Sequence, residues 1–499
     1  MILYLGQYLD RGLKNKYKVR FICCIIVKYK DLIIYNYMSL ITSISGLRGT
    51  IGGVPGENLT PLDAIKFTAA FVDLLKQTHS TKLKIVVGRD ARISGLVLKN
   101  LIISTLQFCG VDIIDLDLAT TPTVEMSVIR EKAQGGIILT ASHNPREWNA
   151  LKLLNDKGEF ISAAEGAKLL ELAQAQNFNF ATINELGKTE ISTDALDYHI
   201  KKILELPLVN KELITAANFS VAVDGINSVG GNTIPQLLKE MGVKNIYELN
   251  CEPTGDFAHN PEPLAEHLTD ICALVKDKQA DLGIVVDPDV DRLAFIDETG
   301  VMFGEEYTLV AVADYVLANY QGTEYNKAAV SNLSSSRALK DIVLKHEATY
   351  EAAAVGEVNV VTKMKDIKAV IGGEGNGGVI YPELHYGRDA LVGVALFLTF
   401  LAQQKITVSQ LRAKYPSYIM IKHKLTLIDR EEINFIFDKL KSAYPTQRID
   451  EQDGLKIEWE DSWVHIRPSN TEAIMRLYIE APDEIKTQIL LTEILAKIK

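Results

Sequence analysis

From Met38 onward the chain alternates short β-branched runs with amphipathic stretches of helical period, a pattern that restricts it to α/β domains with mostly parallel sheets. The predicted strands include Lys84–Val87, Ile137–Leu139, Val221–Val223, Ile284–Val286 and Ala369–Ile371, and the predicted helices include Pro61–Gln77 and Ala163–Gln174. Each of these strands runs into a polar loop: Gly88-Arg89-Asp90, Thr140-Ala141-Ser142, Asp224-Gly225, Asp287-Pro288-Asp289 and Gly372-Gly373-Glu374. Open α/β sheets take ligands outside the carboxyl ends of their strands, so these loops are where chemistry is expected. The C-terminal stretch reads differently. Leu455–Trp459 and Trp463–Arg467 form a hairpin pattern, followed by a strand at Ile474–Ile479 and a helix at Glu484–Ile498, which makes a separate small α+β domain.

The length of 499 residues admits several domains, roughly three or four. A net charge of −11 without long acidic runs argues against nucleic-acid binding, and an anionic substrate must then be held by local Arg and Lys side chains. Cys23, Cys24, Cys109, Cys251 and Cys272 are odd in number and include no Cys-x-x-Cys spacing, so neither a disulfide framework nor a zinc finger is indicated and a cytoplasmic location is expected. Residues 1–37 stand apart. The apolar run Phe21 to Val27 is broken by Lys28, Lys30 and Asp31, too short for the about 20 residues that span a bilayer, and no signal-cleavage pattern follows it. Met38 precedes a well-patterned start, so 1–37 is expected to be a non-native or disordered extension.

Four loops carry the chemistry. Thr140-Ala141-Ser142-His143-Asn144-Pro145 presents a hydroxyl in a tight turn after a buried strand. Asp287-Pro288-Asp289-Val290-Asp291-Arg292 offers carboxylates at i, i+2 and i+4, hard oxygen ligands suited to Mg²⁺. An EF-hand is excluded because Arg292 takes the position that needs Gly and a strand precedes the loop. Gly373-Glu374-Gly375-Asn376-Gly377-Gly378 matches G-x-G-x-x-G, but Pro382 disfavours the helix a dinucleotide site needs, so the loop is read as an extended segment presenting Glu374 and Asn376 to sugar hydroxyls. Arg467-Pro468-Ser469-Asn470-Thr471-Glu472, with Arg476 nearby, assembles a guanidinium, hydroxyls and an amide into a phosphate cradle. Taken singly, these loops also fit a solvated acidic turn, a structural Gly turn and a polar hairpin connection. Two Gly-flanked basic segments, around Arg48 and from Arg89 to Arg92, are further candidates to line an anionic site, though Arg89 and Asp90 equally suit a structural ion pair. Lys152 is a candidate proton acceptor for the serine loop.

Together, in this order, the loops resemble the α-D-phosphohexomutase superfamily, from about Ser43 to the C-terminus. The resemblance implies four domains around a central cleft: 38–195 with a phosphoserine loop, 196–298 with a metal loop, 299–410 with a sugar loop, and a smaller α+β domain, 411–499, with a phosphate loop. It implies that Ser142 is the phosphoserine and that Ser142, Asp287, Asp289 and Asp291 hold one Mg²⁺. Arg292 would neutralise the transferring phosphoryl group, with His143 and Lys152 assisting and Lys152 as general base. Arg48, Glu374, Asn376, Arg467, Ser469, Asn470, Thr471 and Arg476 would bind substrate.

Relatives with Gly-Glu-x-Ser-Gly-His in the sugar loop place a His where this chain has Gly378, so His385 and Arg388 are named as candidate substitutes. The Gly-Glu-Gly-Asn-Gly-Gly form is shared with phosphoglucosamine mutase-like bacterial sequences. The implied activity moves a phosphoryl group between O6 and O1 of a hexose phosphate through a 1,6-bisphosphate, with glucosamine 6-phosphate the first choice and mannose or glucose phosphate the alternative. Glucose or glucosamine 1,6-bisphosphate would act as activator. A phosphatase and a non-catalytic sugar-phosphate sensor are the rival classes; no Gly-x-Ser-x-Gly elbow surrounds Ser142. The partners expected are a small hexose phosphate and a second copy in a homodimer, with no membrane.

Overall fold

The computed structural model describes residues 39–43, 46–426, 430–468 and 474–498, so the expected extension at 1–37 lies outside it. The first sheet has seven strands in the order Ile41–Ser43, Gly46–Thr50, Trp148–Leu154, Gly135–Leu139, Lys84–Arg89, Asp112–Leu118, Thr189–Ile191. Lys84–Arg89 is parallel to both neighbours, whereas Trp148–Leu154 and the strands beyond it run antiparallel. The second sheet, Leu293–Asp297, Leu282–Val286, Ser220–Asp224, Asn245–Leu249, and the third, Thr349–Ala353, Asn326–Asn332, Ala369–Glu374, Gly378–Ile380, have four strands each. Both are parallel except for one antiparallel strand at an edge. The fourth sheet is fully antiparallel, with five strands: Ile419–Thr426, Ile474–Ala481, Trp463–Pro468, Leu455–Glu458, Arg448–Asp450.

The α/β sheets are therefore mixed, and the departure from the parallel pattern falls at the functional loops. Gly135–Leu139 returns antiparallel as Trp148–Leu154, Leu282–Val286 as Leu293–Asp297, and Ala369–Glu374 as Gly378–Ile380. A parallel neighbour needs a long crossover, but an antiparallel return needs only a tight connection. Each functional loop is thus short and pinned at both ends by strands buried in the sheet.

Helices seal the sheets. Pro61–Lys76 starts with a capping box between Thr60 and Asp63 and buries Ala64, Phe67, Phe71 and Leu75. Ala390–Gln404 is apolar around most of its circumference and is buried from Ala390 to Ala402. It is shared property of the second and third sheets, whose side chains merge into one core around it. Within that core Phe397 stacks on Phe295 with ring centroids 3.8 Å apart and meets Phe303 edge-on. Truncating a residue so placed costs about 3–5 kcal/mol.

In the C-terminal unit, Ile436 and Leu440 of the helix Arg430–Ala443 and Leu490 and Ile494 of Glu484–Ile498 cover one sheet face. The other face carries Trp463, His465, Arg467, Arg476 and Glu480 and meets the Ser334–Arg337 segment of the third unit. The hairpin and last helix follow the sequence expectation, whereas the strand Ile419–Thr426 and the helix Arg430–Ala443 have no counterpart in it.

Candidate active site

Ser142 follows the buried strand Gly135–Leu139 with φ +49°, a left-handed conformation that non-Gly residues enter only where the surroundings fix it. The surroundings here are explicit. The Ser142 amide donates to Thr140 Oγ1 at 2.9 Å, and Thr140 Oγ1 donates to Asp90 Oδ2 at 2.7 Å. Arg92 pairs with Asp90 at 3.0 Å, and its other nitrogens donate to the carbonyls of Ser142, Asn144, Pro145 and Trp148 at 2.6–2.9 Å. One fully buried guanidinium therefore holds the whole serine loop. Of the two readings of this segment, the Arg89–Asp90 ion pair does not form: Arg89 pairs with Asp117 at 2.9 Å and meets only the backbone carbonyl of Asp90.

Ser142 Oγ donates to Asp287 Oδ2 at 2.7 Å, which joins the serine loop to the acidic loop. Asp287, Asp289 and Asp291 are all buried, with one carboxylate oxygen from each lying within 4.8 Å of the others. The loop reaches this shape through a turn, Val290 N–H to Asp287 carbonyl, with Val290 at φ +63°. Asp287 Oδ1 accepts the Asp291 and Arg292 amides. Among the described residues, Asp289 Oδ1 and Asp291 Oδ1 have no hydrogen-bond partner. Burial, with Asp289 and Asp291 close by, pushes the Asp287 carboxyl well above its ordinary range. Three crowded carboxylates, two of them with an oxygen that accepts no hydrogen bond among the described residues, are the donor set of a hard divalent cation site.

Lys152 lies on the antiparallel return strand, with Nζ 2.6 Å from Asp289 Oδ2 and 3.5 Å from Asp291 Oδ2. Burial alone would lower its ammonium; Asp289 and Asp291 instead raise it above the usual lysine value. His143 Nδ1 is 3.5 Å from Ser142 Oγ, and burial, followed by the charges of Arg292, Arg48 and Arg388, holds its imidazole well below the ordinary value and hence neutral. Arg48 donates to Asn144 Oδ1 at 2.9 Å, at the rim of the serine loop. The Arg292 guanidinium is only loosely engaged, 3.6 Å from Glu262, and its Nε has no hydrogen-bond partner among the described residues.

The sugar-loop segment is a hairpin turn, not the extended segment expected. Glu374 ends one strand, Gly378 begins the next, and Asn376 Oδ1 accepts the Gly378 amide. Glu374 is buried and takes bonds from Asn332 Nδ2 at 2.8 Å, the Gly356 amide and Arg388 Nη1 at 2.7 Å. Arg388 is also spoken for: it binds Asp291 at 2.6 Å and Glu357 at 2.9 Å besides Glu374. The ring of His385 is buried and turned toward Asp389, with Nε2 3.3 Å from its Oδ2. Arg467 and Arg476 are directly opposite on adjacent strands. Ser469, Asn470 and Thr471 lie outside the described residues. Lys424, opposite Arg476 on the next strand, extends this cationic row and was missed because its strand carries no motif. Thr121, which donates to Asp289 Oδ2 at 2.7 Å, and Glu357 begin helices that carry no motif and were missed as well.

Models of the phosphoglucomutase/phosphomannomutase family match in succession: α/β/α domain I at residues 41–180, domain II at 197–300, domain III at 304–418 and the C-terminal domain at 430–497. The chain belongs to this family. It is with that family an isomerase, of the α-D-phosphohexomutase superfamily. A phosphoglucomutase/phosphomannomutase of Thermococcus kodakarensis is 36% identical over 448 residues, covering 89% of this chain and 96% of the relative. A phosphoglucosamine/phosphogalactosamine mutase of Sulfurisphaera tokodaii is 31% identical over 457 residues, covering 90% and 98%. Among solved structures, a phosphoglucomutase/phosphomannomutase family protein from Burkholderia thailandensis superposes with a TM-score of 0.79 at 24% identity, covering 92% of this chain and 97% of its own. Parafusin, a phosphoglucomutase from Paramecium, gives 0.73 at 17% identity over 92% and 94%. Both structures share the fold. Among the described residues no helix is long and apolar enough to cross a membrane.

Proposed function

We propose that the protein interconverts the 6-phosphate and 1-phosphate of a hexose through phosphorylated Ser142 and a sugar 1,6-bisphosphate. The observation that carries this reading is the 2.7 Å bond from Ser142 Oγ to Asp287, inside a buried carboxylate triad that also holds Lys152. A serine hydroxyl is a poor nucleophile without a base and charge neutralisation, and this reading assigns those parts to Lys152 and Arg292. The oxygens of Asp287, Asp289 and Asp291, with that of Ser142, fit Mg²⁺, which when bound supplies Lewis-acid stabilisation of the transferring phosphoryl group.

Ser142 in its phosphorylated form donates to the free hydroxyl of the bound monophosphate. Arg292, whose Nε makes no hydrogen bond among the described residues and lies 4.0 Å from Asp291 Oδ1, offers a guanidinium to the phosphoryl oxygens. For the return step, Lys152 takes the serine proton. Asp289 and Asp291 are what keep Lys152 charged, and an ion held by these aspartates would offset that effect and favour the neutral amine a base requires. Neutral His143 assists at Ser142 Oγ. Arg467 and Arg476, with Ser469, Asn470 and Thr471, grip the phosphate that is not reacting, and the same cradle must accept either end of the sugar. Arg48 borders the serine loop, and Glu374 and Asn376 meet the sugar hydroxyls from the hairpin turn.

Glucosamine phosphate is the substrate this reading favours, supported by the Gly-Glu-Gly-Asn-Gly-Gly form of the turn. A second reading, mannose or glucose phosphate, draws on the name of the 36% identical Thermococcus relative. The test compares isomerisation of the three sugar phosphates with Mg²⁺ and a trace of the 1,6-bisphosphate activator, for wild type and Ser142→Ala. The expected result is Ser142-dependent turnover with the amino sugar ahead. Release of inorganic phosphate without isomerisation would transfer the site to a phosphatase, and tight binding without turnover to a sensor.

A further inference from the structure

Behind the active site, three of the α/β units meet at a fully buried cluster that the proposed reaction does not use. His199 stands on the helix Ala195–Leu204, whose family match is domain II. His385 and Asp389 stand on the connection leading into the helix Ala390–Gln404 of domain III. The outer partners, Thr123 and Glu125, come from the helix Thr121–Glu131 of domain I. His199 Nε2 is 2.9 Å and His385 Nε2 3.3 Å from the same oxygen, Asp389 Oδ2, and one donor atom from each of the three residues lies within 4.8 Å of the others.

We propose that His199, His385 and Asp389 form a second, structural metal site for a zinc-class divalent ion, distinct from the aspartate triad. Two imidazole nitrogens and one carboxylate oxygen are the ligand set of a borderline ion and not of Mg²⁺, which prefers oxygen. Tetrahedral ligation with bonds of about 2.0–2.1 Å sets ligands about 3.3 Å apart, so the separations of 2.9 Å and 3.3 Å need only small adjustment.

The surroundings are those of a metal site as well. In such sites the outer nitrogen of each histidine donates to a carboxylate, carbonyl or hydroxyl that fixes its tautomer. His199 Nδ1 is 3.0 Å from Thr123 Oγ1, and His385 Nδ1 is 3.4 Å from Glu125 Oε2. Asp389 Oδ1 is held separately by the amides of Leu391 and Val392 at the start of the buried helix, leaving Oδ2 for the cluster. Glu125 is 1% exposed, and the 3.4 Å approach of its Oε2 to His385 Nδ1 falls short of a full hydrogen bond, so the carboxyl is held loosely against the cluster. Burial, with Glu357 close by, pushes this carboxyl well above its ordinary range, and a divalent ion in the cluster would favour its ionised form. With an ion bound, Asp389 and an ionised Glu125 would balance its charge while both histidines stay neutral, and the ion would fasten the second unit to the third while Thr123 and Glu125 tie in the first. The same atoms without an ion would make a His–Asp–His hydrogen-bonded lock, and the experiment separates the two.

The full chain is purified without chelator or histidine tag, and its metals are counted by mass spectrometry. A stoichiometric equivalent of zinc-class metal is expected in wild type and in Asp287→Asn, which disables the triad, and not in His199→Gln, whose side-chain amide still donates to Asp389. Stripped protein is then loaded with Co²⁺. Asp287→Asn should show the intense visible bands of four-coordinate cobalt, and Zn²⁺ should abolish them and raise the melting temperature. Background metal in wild type, with no such bands in Asp287→Asn folded by circular dichroism, overturns the proposal in favour of the hydrogen-bonded lock. Because wild type and Asp287→Asn decide the matter, poor folding of His199→Gln would not obscure it.

Discussion

Arg388 Nη2 lies 2.6 Å from Asp291 Oδ2, so the connection that follows the sugar turn is bolted to the third carboxylate of the metal loop. The same guanidinium binds Glu357 and Glu374, and a planar fork with fixed N–H directions is what lets one side chain serve three carboxylates. Arg388→Lys supplies a single ammonium and leaves at least one buried carboxylate unpaired. The expected outcome is a Mg²⁺ requirement raised about 10–100-fold, the usual effect of removing a partner that orients a metal ligand. The check is the Mg²⁺ dependence of the isomerisation rate. An unchanged Mg²⁺ requirement would mean that Arg388 serves only to join the two units.

Asp287 carries both the bond from Ser142 and the amides that shape its own loop. Asp287→Asn keeps the size of the side chain and removes charge from the crowded triad, which relieves repulsion among the acids. The variant is therefore expected to be at least as stable as wild type in denaturant titration and to lose isomerisation by at least about 10²–10³-fold, the scale of one lost electrostatic contact to a transition state. EDTA should reproduce the loss of activity in wild type, and added Mg²⁺ should reverse it. Activity that survives EDTA treatment would remove the triad from the mechanism.

The serine loop depends on Arg92. Arg92→Met removes the ion pair with Asp90 and four bonds to backbone carbonyls, in a place where water cannot replace them. Breaking a buried pair by deleting one partner costs about 3–5 kcal/mol. Equilibrium unfolding should show a loss of that order, and phosphorus NMR should show a broadened or shifted phosphoserine signal as the loop loses its single conformation. Thr140→Val, which cuts the link from Asp90 to the Ser142 amide, should produce a smaller effect of the same kind.

These residues show where the sequence was legible and where it was not. The Ser142, Asp287 and Glu374 loops could be found because each packs its chemistry into six consecutive residues between recognisable strands. The parts that hold them could not. Arg92 lies 50 residues from the carbonyl of Ser142, and Arg388 lies 97 from Asp291. No local period joins such pairs, and only the packing of separate units brings them together. The sequence left the partner of Asp90 open, because the neighbouring Arg89 is at least as close along the chain as Arg92, while the strand direction sends Arg89 to Asp117. The reading of an extended sugar loop failed because glycines that permit extension also permit the tight turn an antiparallel return requires.

The seam between the third and fourth units contains an acid-sensitive histidine. His465 is 1% exposed, with one ring nitrogen 2.9 Å from Ser334 Oγ and the other 2.6 Å from the Asp453 carbonyl. Burial, partly offset by the Asp453 contact and reinforced by Lys456 and Arg467, pushes its imidazole down from 6.5 to about 4. The folded protein thus binds fewer protons here than the unfolded chain, so stability rises with pH between these two values and is level above 6.5. At 1.36 kcal/mol per unit, acidification across the window removes about 3 kcal/mol from this group alone. His465→Gln cannot titrate and can still bond to Ser334 and Asp453. Its unfolding free energy should fall less steeply than that of wild type between pH 6.5 and 4, with the two curves parallel above that range. Parallel curves throughout, measured by denaturant titration at matched ionic strength, would show that His465 already takes up its proton in the folded state.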